Sequence, residues 1–196
     1  TGTAVIKEDK VSFIKDISGL NYRLAGEVIG AANEVVPMIL KGGGIKNTLI
    51  ISPPGAGKTT MLRDIVRQLS YKSYRVSVVD ERSEIAALCE GRSAFDLGFS
   101  TDILEGVDKA EGMLMVLRSM SPDVIVTDEI GKQSDIDAIE RITNSGAAVI
   151  ATIHGRNIDM IKRRDDLKRM LKFFDLIITL SKRKGIGTVE EALTEW

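Results

Sequence analysis

The chain has 196 residues, 43% hydrophobic and 28% charged, with 27 Lys and Arg against 28 Asp and Glu, one His and one Cys; this suits one soluble α/β domain with an attached element. One Cys forms no internal disulfide, one His and one Cys cannot build a His/Cys zinc site, and a net charge of −1 gives no global basic field for nucleic acid or an anionic membrane. The longest apolar runs, such as residues 35–40, fall far short of the ~20 residues that span a bilayer, and no charged leader with an apolar core opens the chain.

In chain order, residues 1–44 read as a linker or the remnant of an N-terminal domain, and residues 45–196 as the main domain. Within the first part, residues 11–14 look like strand material. Residues 25–40 predict an apolar helix with Val28, Ala32, Val35 and Ile39 on one face, ended by the flexible joint Gly42-Gly-Gly44. Beyond it come five apolar, β-branched runs, at 48–51, 76–79, 124–127, 148–152 and 176–180, which read as strands buried on both faces. Helical patterns lie between them: Leu62, Ile65, Val66 and Leu69; Met113, Leu114, Leu117 and Met120; Ile136, Ile139 and Ile142; Ile161, Leu167, Met170 and Leu171. Strand–helix alternation at this rhythm predicts βαβ crossovers and a three-layer, mainly parallel α/β sheet, with strand order 5-1-4-3-2 in the numbering of those runs. The basic stretch Lys182-Arg-Lys-Gly-Ile-Gly187 predicts a solvated turn into a C-terminal hairpin. Cys89 reads as a small core residue, and Met113, Met115 and Met120 as core filler.

Ser52-Pro-Pro-Gly-Ala-Gly-Lys-Thr-Thr60 stands between the first run and its helix, which is where a phosphate-binding P-loop belongs. Pro54, Gly55, Ala56, Gly57, Lys58, Thr59 and Thr60 are the expected nucleotide-binding residues. A Gly-rich turn lets backbone N–H groups wrap a triphosphate, and the following helix adds its positive end. Lys58 is expected to reach the β- and γ-phosphates and the Thr59 hydroxyl to ligate Mg²⁺. Ser52 replaces the first Gly of the usual pattern, at the strand exit, where a small residue does not block the turn.

The third run ends in Asp128-Glu129, as a Walker B strand does. Asp128 is the expected magnesium ligand, through water, and Glu129 the residue that orients or deprotonates the attacking water. A second carboxylate beside the metal ligand suits hydrolysis, and the absence of Asn-Lys-x-Asp makes ATP the preferred nucleotide over GTP. With the fourth run between the other two, His154 emerges between the halves of the site. There it either senses the γ-phosphate or satisfies local backbone groups.

These residues resemble a family. Leu117-Arg-Ser-Met-Ser-Pro-Asp, the Asp128-Glu129 strand and Ala151-Thr-Ile-His154 are similar to the type II and type IV secretion ATPases, and Val78-Val-Asp-Glu-Arg-Ser-Glu84 looks like their aspartate box. A closer resemblance is to the stage III sporulation protein AA family. It is carried by Leu20-Asn-Tyr-Arg23, the P-loop, Asp80–Ile85, Arg118–Gly131, Ile150–Gly155 and Gly187-Thr-Val-Glu190. The resemblance implies the C-terminal motor domain of a longer, cytoplasmic ATPase, hexameric, at the mother-cell face of the channel to the forespore. It also implies membrane-channel proteins as partners. Many secretion ATPases carry a non-acidic residue where Asp128 stands, so the general base is open between Glu129, which follows the presumed metal ligand, and Glu81.

Arg118 is read either as a phosphate-binding or inter-subunit arginine finger or as a cation capping its helix. Arg163 and Arg164 face the same choice, with a solvated face preferred. Tyr22 and Arg23 are the candidates for the adenine pocket. Two other classes compete with a channel-energising ATPase: a nucleic-acid-translocating RecA-like ATPase, disfavoured by the charge balance, and a nucleotide-gated scaffold without appreciable hydrolysis.

Overall fold

Apolar runs that cannot show an amphipathic face to water have to be covered on both sides, and the structure covers them. The computed structural model describes residues 1–21 and 26–196, with only the backbone of Asp166. An N-terminal hairpin of β1 (Thr3–Lys7) and β2 (Lys10–Lys15) turns at Glu8 and Asp9, and leaves Ile6, Val11, Phe13 and Ile14 exposed. There follow α1 (Val36–Ile39), β3 (Thr48–Ser52), α2 (Lys58–Tyr71), β4 (Val76–Asp80), the short β5 (Leu88–Cys89) and β6 (Arg92–Ser93), β7 (Thr101–Glu105) and α3 (Lys109–Met120). The chain continues through β8 (Val124–Thr127), α4 (Gln133–Asn144), β9 (Ala148–His154), α5 (Ile158–Lys162), α6 (Asp165–Lys168), a 3-10 turn at Arg169–Phe173, β10 (Leu176–Ser181) and β11 (Thr188–Leu193).

One seven-stranded sheet runs in the order β11-β10-β3-β9-β8-β4-β7, parallel throughout except for β11 against β10. In terms of the five apolar runs, its central order is 5-1-4-3-2. Alternate residues of each strand feed opposite layers. Ile50, Val78, Val126 and Ile150 pack under α2 with Met61, Leu62, Ile65 and Leu69. Leu49, Ile51, Ile125 and Val149 pack against α3, α4 and the 158–174 segment. Among the described residues no helix is long and apolar enough to cross a membrane.

Several expectations are corrected. No helix fills 25–40; among the described residues of that stretch only α1 is helical, and residues 29–35 are turns. Gly30 at φ +89° and Pro37 in the first turn of α1 account for this, because each interrupts a continuous hydrogen-bond ladder. Ala32, Val35, Val36 and Ile39 nevertheless sit in the layer around α2, and Asp64 of α2 accepts the Ala32 N–H at 2.7 Å. The pattern around 161–171 splits into α5, α6 and the 3-10 turn, since Arg164 leaves helical geometry at φ −102°, ψ 112°. Cys89 is exposed beside the Glu90-Gly91 turn, both at positive φ. Met115 and Met120 lie partly in solvent on the outer side of α3, while Met113 is buried. The edge strand β7 has no continuous apolar run, because Asp102 and Glu105 interrupt it, and β5 and β6, at two residues each, are too short to show a pattern.

Candidate nucleotide-binding site

Three parallel strands bring the motif residues to one edge. β9 lies between β3 and β8, and its register sets Ser52 beside His154 and Thr127 beside Ala151. Two backbone bonds extend this alignment past the strand ends: the Gly155 N–H donates to the Ser52 carbonyl at 3.1 Å, and the Ile130 N–H donates to the Thr152 carbonyl at 2.9 Å. The second fixes Asp128-Glu129 beside the histidine strand. A cleft of about 640 Å³ results, lined by Pro54, Gly55, Gly57, Lys58, Thr59, Thr60, Arg82, Glu84, Glu129, His154 and Ile186.

The loop that opens this cleft needs its glycines. Gly55 has φ +68° and Gly57, the residue capping α2, has φ +91°, where a side chain is strained. Ala56 is buried beneath them. A residue such as Ser52 is tolerated at the strand exit because its hydroxyl donates back to the Pro53 carbonyl at 2.9 Å.

On the far side of the cleft, Lys109 at the start of α3 is the residue that the sequence reading missed. It is 3% exposed, and its Nζ stands 2.8 Å from Asp128 Oδ1, 3.5 Å from Glu81 Oε2, and donates to the Glu129 carbonyl at 3.1 Å. Asp128 is itself buried and does not line the cleft, so the expected magnesium ligand has an ammonium as its immediate partner. A buried lysine at a helix start, in contact with an acid 19 residues further along the chain (109 to 128), gives no local signal. Among the described residues no group of three or more His, Cys, Asp and Glu could hold a metal alone. A metal here would draw ligands from bound phosphates as well.

The two glutamates differ in setting. Glu129 faces the cleft and meets Arg82 loosely, at 3.7 Å. Glu81 is held by Lys109 and, at 3.9 Å, by Lys132. Lys132 also reaches Asp108 at 3.2 Å; that hydrogen bond, with the Glu81 and Asp108 charges, holds the lysine above its ordinary pKa and helps to hold Asp108 below the usual carboxylate range. Asp80 does a different task. Its carboxylate accepts the backbone N–H groups of Glu84, Ile85 and Ala86, which folds the acidic loop back on β4. Arg63 completes that fold by donating to the Ile85, Glu84 and Gly26 carbonyls and stacking 3.9 Å from the Phe95 ring centre; burial draws its pKa down against the raising effect of Asp80 and other acids.

Arg118 lies elsewhere. Lys109 marks the cleft end of α3, and a rise of ~1.5 Å per residue carries Arg118 roughly 14 Å towards the opposite edge of the sheet. A phosphate in this chain's own cleft is therefore out of its reach. Arg164 lines a second hollow with Glu81, Lys109, Glu129, Lys132 and His154, and Arg163 an adjoining one with His154. Tyr22 and Arg23 lie outside the described residues.

The seven-stranded, mostly parallel sheet with helices on both faces is the fold of solved secretion-type P-loop ATPases. The VirB11 ATPase of the Brucella suis type IV secretion system aligns with a TM-score of 0.56 over 83% of this chain and 50% of its own, at 14% identity. The pilus retraction motor PilT with bound ADP gives 0.56 over 75% and 45%, at 19% identity, and the Legionella pneumophila ATPase DotB 0.53 over 68% and 40%, at 20%. The family model for sporulation stage III, protein AA, matches residues 1–195, and the chain belongs to that family. The stage III sporulation protein AA of Bacillus subtilis is 38% identical over 197 residues, covering 97% of this chain and 64% of that protein. The protein SEEDLING PLASTID DEVELOPMENT 1 of Arabidopsis thaliana is 30% identical over 159 residues, 79% of this chain and 22% of its own. The chain thus spans less than two thirds of either relative.

Proposed function

We propose that this chain is the motor part of a magnesium-dependent ATPase that works as a ring and energises assembly of, or transport through, a secretion-like membrane channel during endospore formation. The observation that carries the ATPase reading is one cleft shared by Lys58 and Thr59 with Glu129 and His154, on strands two apart. Backbone N–H groups of 54–60 would cradle the phosphates, with Lys58 on the β- and γ-oxygens. Magnesium, when bound, would neutralise charge on those oxygens; Thr59, which lines the cleft, would hold it directly, and Asp128 would reach it through water only by giving up its pairing with Lys109. Glu129 orients and deprotonates the lytic water, Glu81 being the rival base, and His154 meets the γ-phosphate side.

The family membership and the secretion-ATPase fold support the ring, the channel partner, the sporulation role and a cytoplasmic place of work. Residues 45–196 then form the motor, with Ala32, Val35, Val36 and Ile39 of the 1–44 segment packed into the layer around α2, and the β1–β2 hairpin a linker or the remnant of an N-terminal domain. Turnover is measured against protein concentration, with sizing by light scattering. The reading requires ATP hydrolysis that Lys58→Ala abolishes, and a specific activity that rises with assembly. Glu129→Gln should bind nucleotide yet not turn over. Undetectable hydrolysis in the assembled protein would leave only nucleotide-gated scaffolding, and full activity in a monomer would sink the ring.

A further inference from the structure

The phosphate end of the cleft is built from β3, β9 and β8, but a nucleotide also has a nucleoside end. On the side of β3 away from β9 lies β10, and the turn that follows it, residues 182–187, folds over the P-loop. The Gly187 N–H donates to the Ala56 carbonyl at 3.1 Å. A Cβ on Gly57 would stand 3.0 Å from Ile186 Cγ2 and 3.4 Å from the Gly187 nitrogen, and a Cβ on Gly55 2.9 Å from Lys182 Nζ. The base of the turn is pinned, since Ser181 Oγ bonds Glu190 at 2.6 Å and accepts the Arg183 N–H at 3.0 Å. At its tip Ile186 is 74% exposed while lining the same cleft as Lys58 and Thr59. Its place decides its meaning: it sets an aliphatic surface at the mouth of an otherwise polar cleft, against the P-loop glycine Gly57.

We infer that the 182–187 turn is the nucleoside half of the site, with Ile186 lying against the purine face and Lys182 acting as a second phosphate cation beside Lys58. The inference rests on the reading of the cleft as a nucleoside triphosphate site. If Glu129 and His154 flank the γ-phosphate, on the β9 and β8 side, the α-phosphate and nucleoside must leave towards β10, and the turn stands there. Ile186 has no donor or acceptor for base edges, so it favours a flat apolar surface without choosing between adenine and guanine.

The test compares ADP with inorganic tripolyphosphate, which has no base, by calorimetric titration of the full chain. Ile186→Ala should weaken ADP by about tenfold, the order expected for losing one apolar contact, and leave tripolyphosphate within about twofold. Ile186→Phe should restore ADP affinity, and Lys182→Gln should weaken both ligands. Unchanged ADP affinity in Ile186→Ala, or equal losses for both ligands, overturns the inference, the latter by showing that Ile186 only shapes the loop. Lys58→Ala separates the two readings: ADP bound as tightly as by the unmodified chain would remove the phosphate site itself.

Discussion

Lys109 places one ammonium against two carboxylates and a carbonyl, in a spot almost without solvent. Removing one partner of a buried pair strands the other charge, and that penalty is larger than the net worth of the pair. Lys109→Met should therefore lower stability by about 3 kcal/mol in urea unfolding. The double variant Lys109→Met with Asp128→Asn should recover most of that loss, because no buried charge is left unpaired. Additive losses would show instead that the lysine packs without pairing. The same cluster bears on the general base. Glu81 is held by two lysines whereas Glu129 faces the cleft and meets Arg82 loosely, so Glu81→Gln should retain more turnover than Glu129→Gln. The reverse order in steady-state assays would reassign the base.

At the scale of elements, the placing of α3 decides where Lys109 goes. Asp108 caps the helix by accepting the Ala110 and Glu111 N–H groups, and Gly112 brings its second turn close to β4. A Cβ at Gly112 would stand 2.6 Å from Val107 Cγ1 and 2.7 Å from Val79 Cγ1. Gly112→Ala gains helix propensity but overpacks this contact, and the second effect is larger: a loss of about 1–3 kcal/mol is expected, read by thermal or urea unfolding. A stabilised variant would mean that α3 shifts freely away from the sheet.

For the whole molecule, charge pairs rather than net charge set the acid limit. Burial pushes the Asp64 carboxyl up, but hydrogen bonds from the Ala32 N–H, Arg67 and Gln68 outweigh it and hold it below its ordinary value. Arg75 does the same for Asp123, and Lys132 for Asp108. A carboxyl with a depressed folded pKa contributes fully above its unfolded pKa and loses that contribution as pH falls through the folded one. Stability should thus decline below about pH 4, and Asp64→Asn should flatten that decline in urea titrations at graded pH while loosening the 26–40 segment. Arg118 belongs to this scale as well. Its position at the far end of α3 predicts that Arg118→Ala leaves the nucleotide affinity of the dilute chain unchanged; any effect should fall on turnover of the assembled protein.

The sequence by itself determined the five central strands, their helices α2, α3 and α4, and the P-loop, because buried strands and nucleotide-binding turns leave local signals: continuous apolar runs, 3.6-residue periodicity, and glycines where φ must be positive. It also supplied the family resemblance and the placing of His154, since a single strand between β3 and β8 has one way to present its last residue. The tertiary structure decided what depends on distant pairs. Lys109 meets Asp128 only when β7 and β8 flank β4, Arg118 leaves the cleft only because α3 runs back along the sheet, and the 182–187 turn reaches Gly57 only because β10 is the neighbour of β3. Ion pairs and close approaches between segments tens of residues apart have no periodicity, so composition and spacing are silent about them until the sheet order is set.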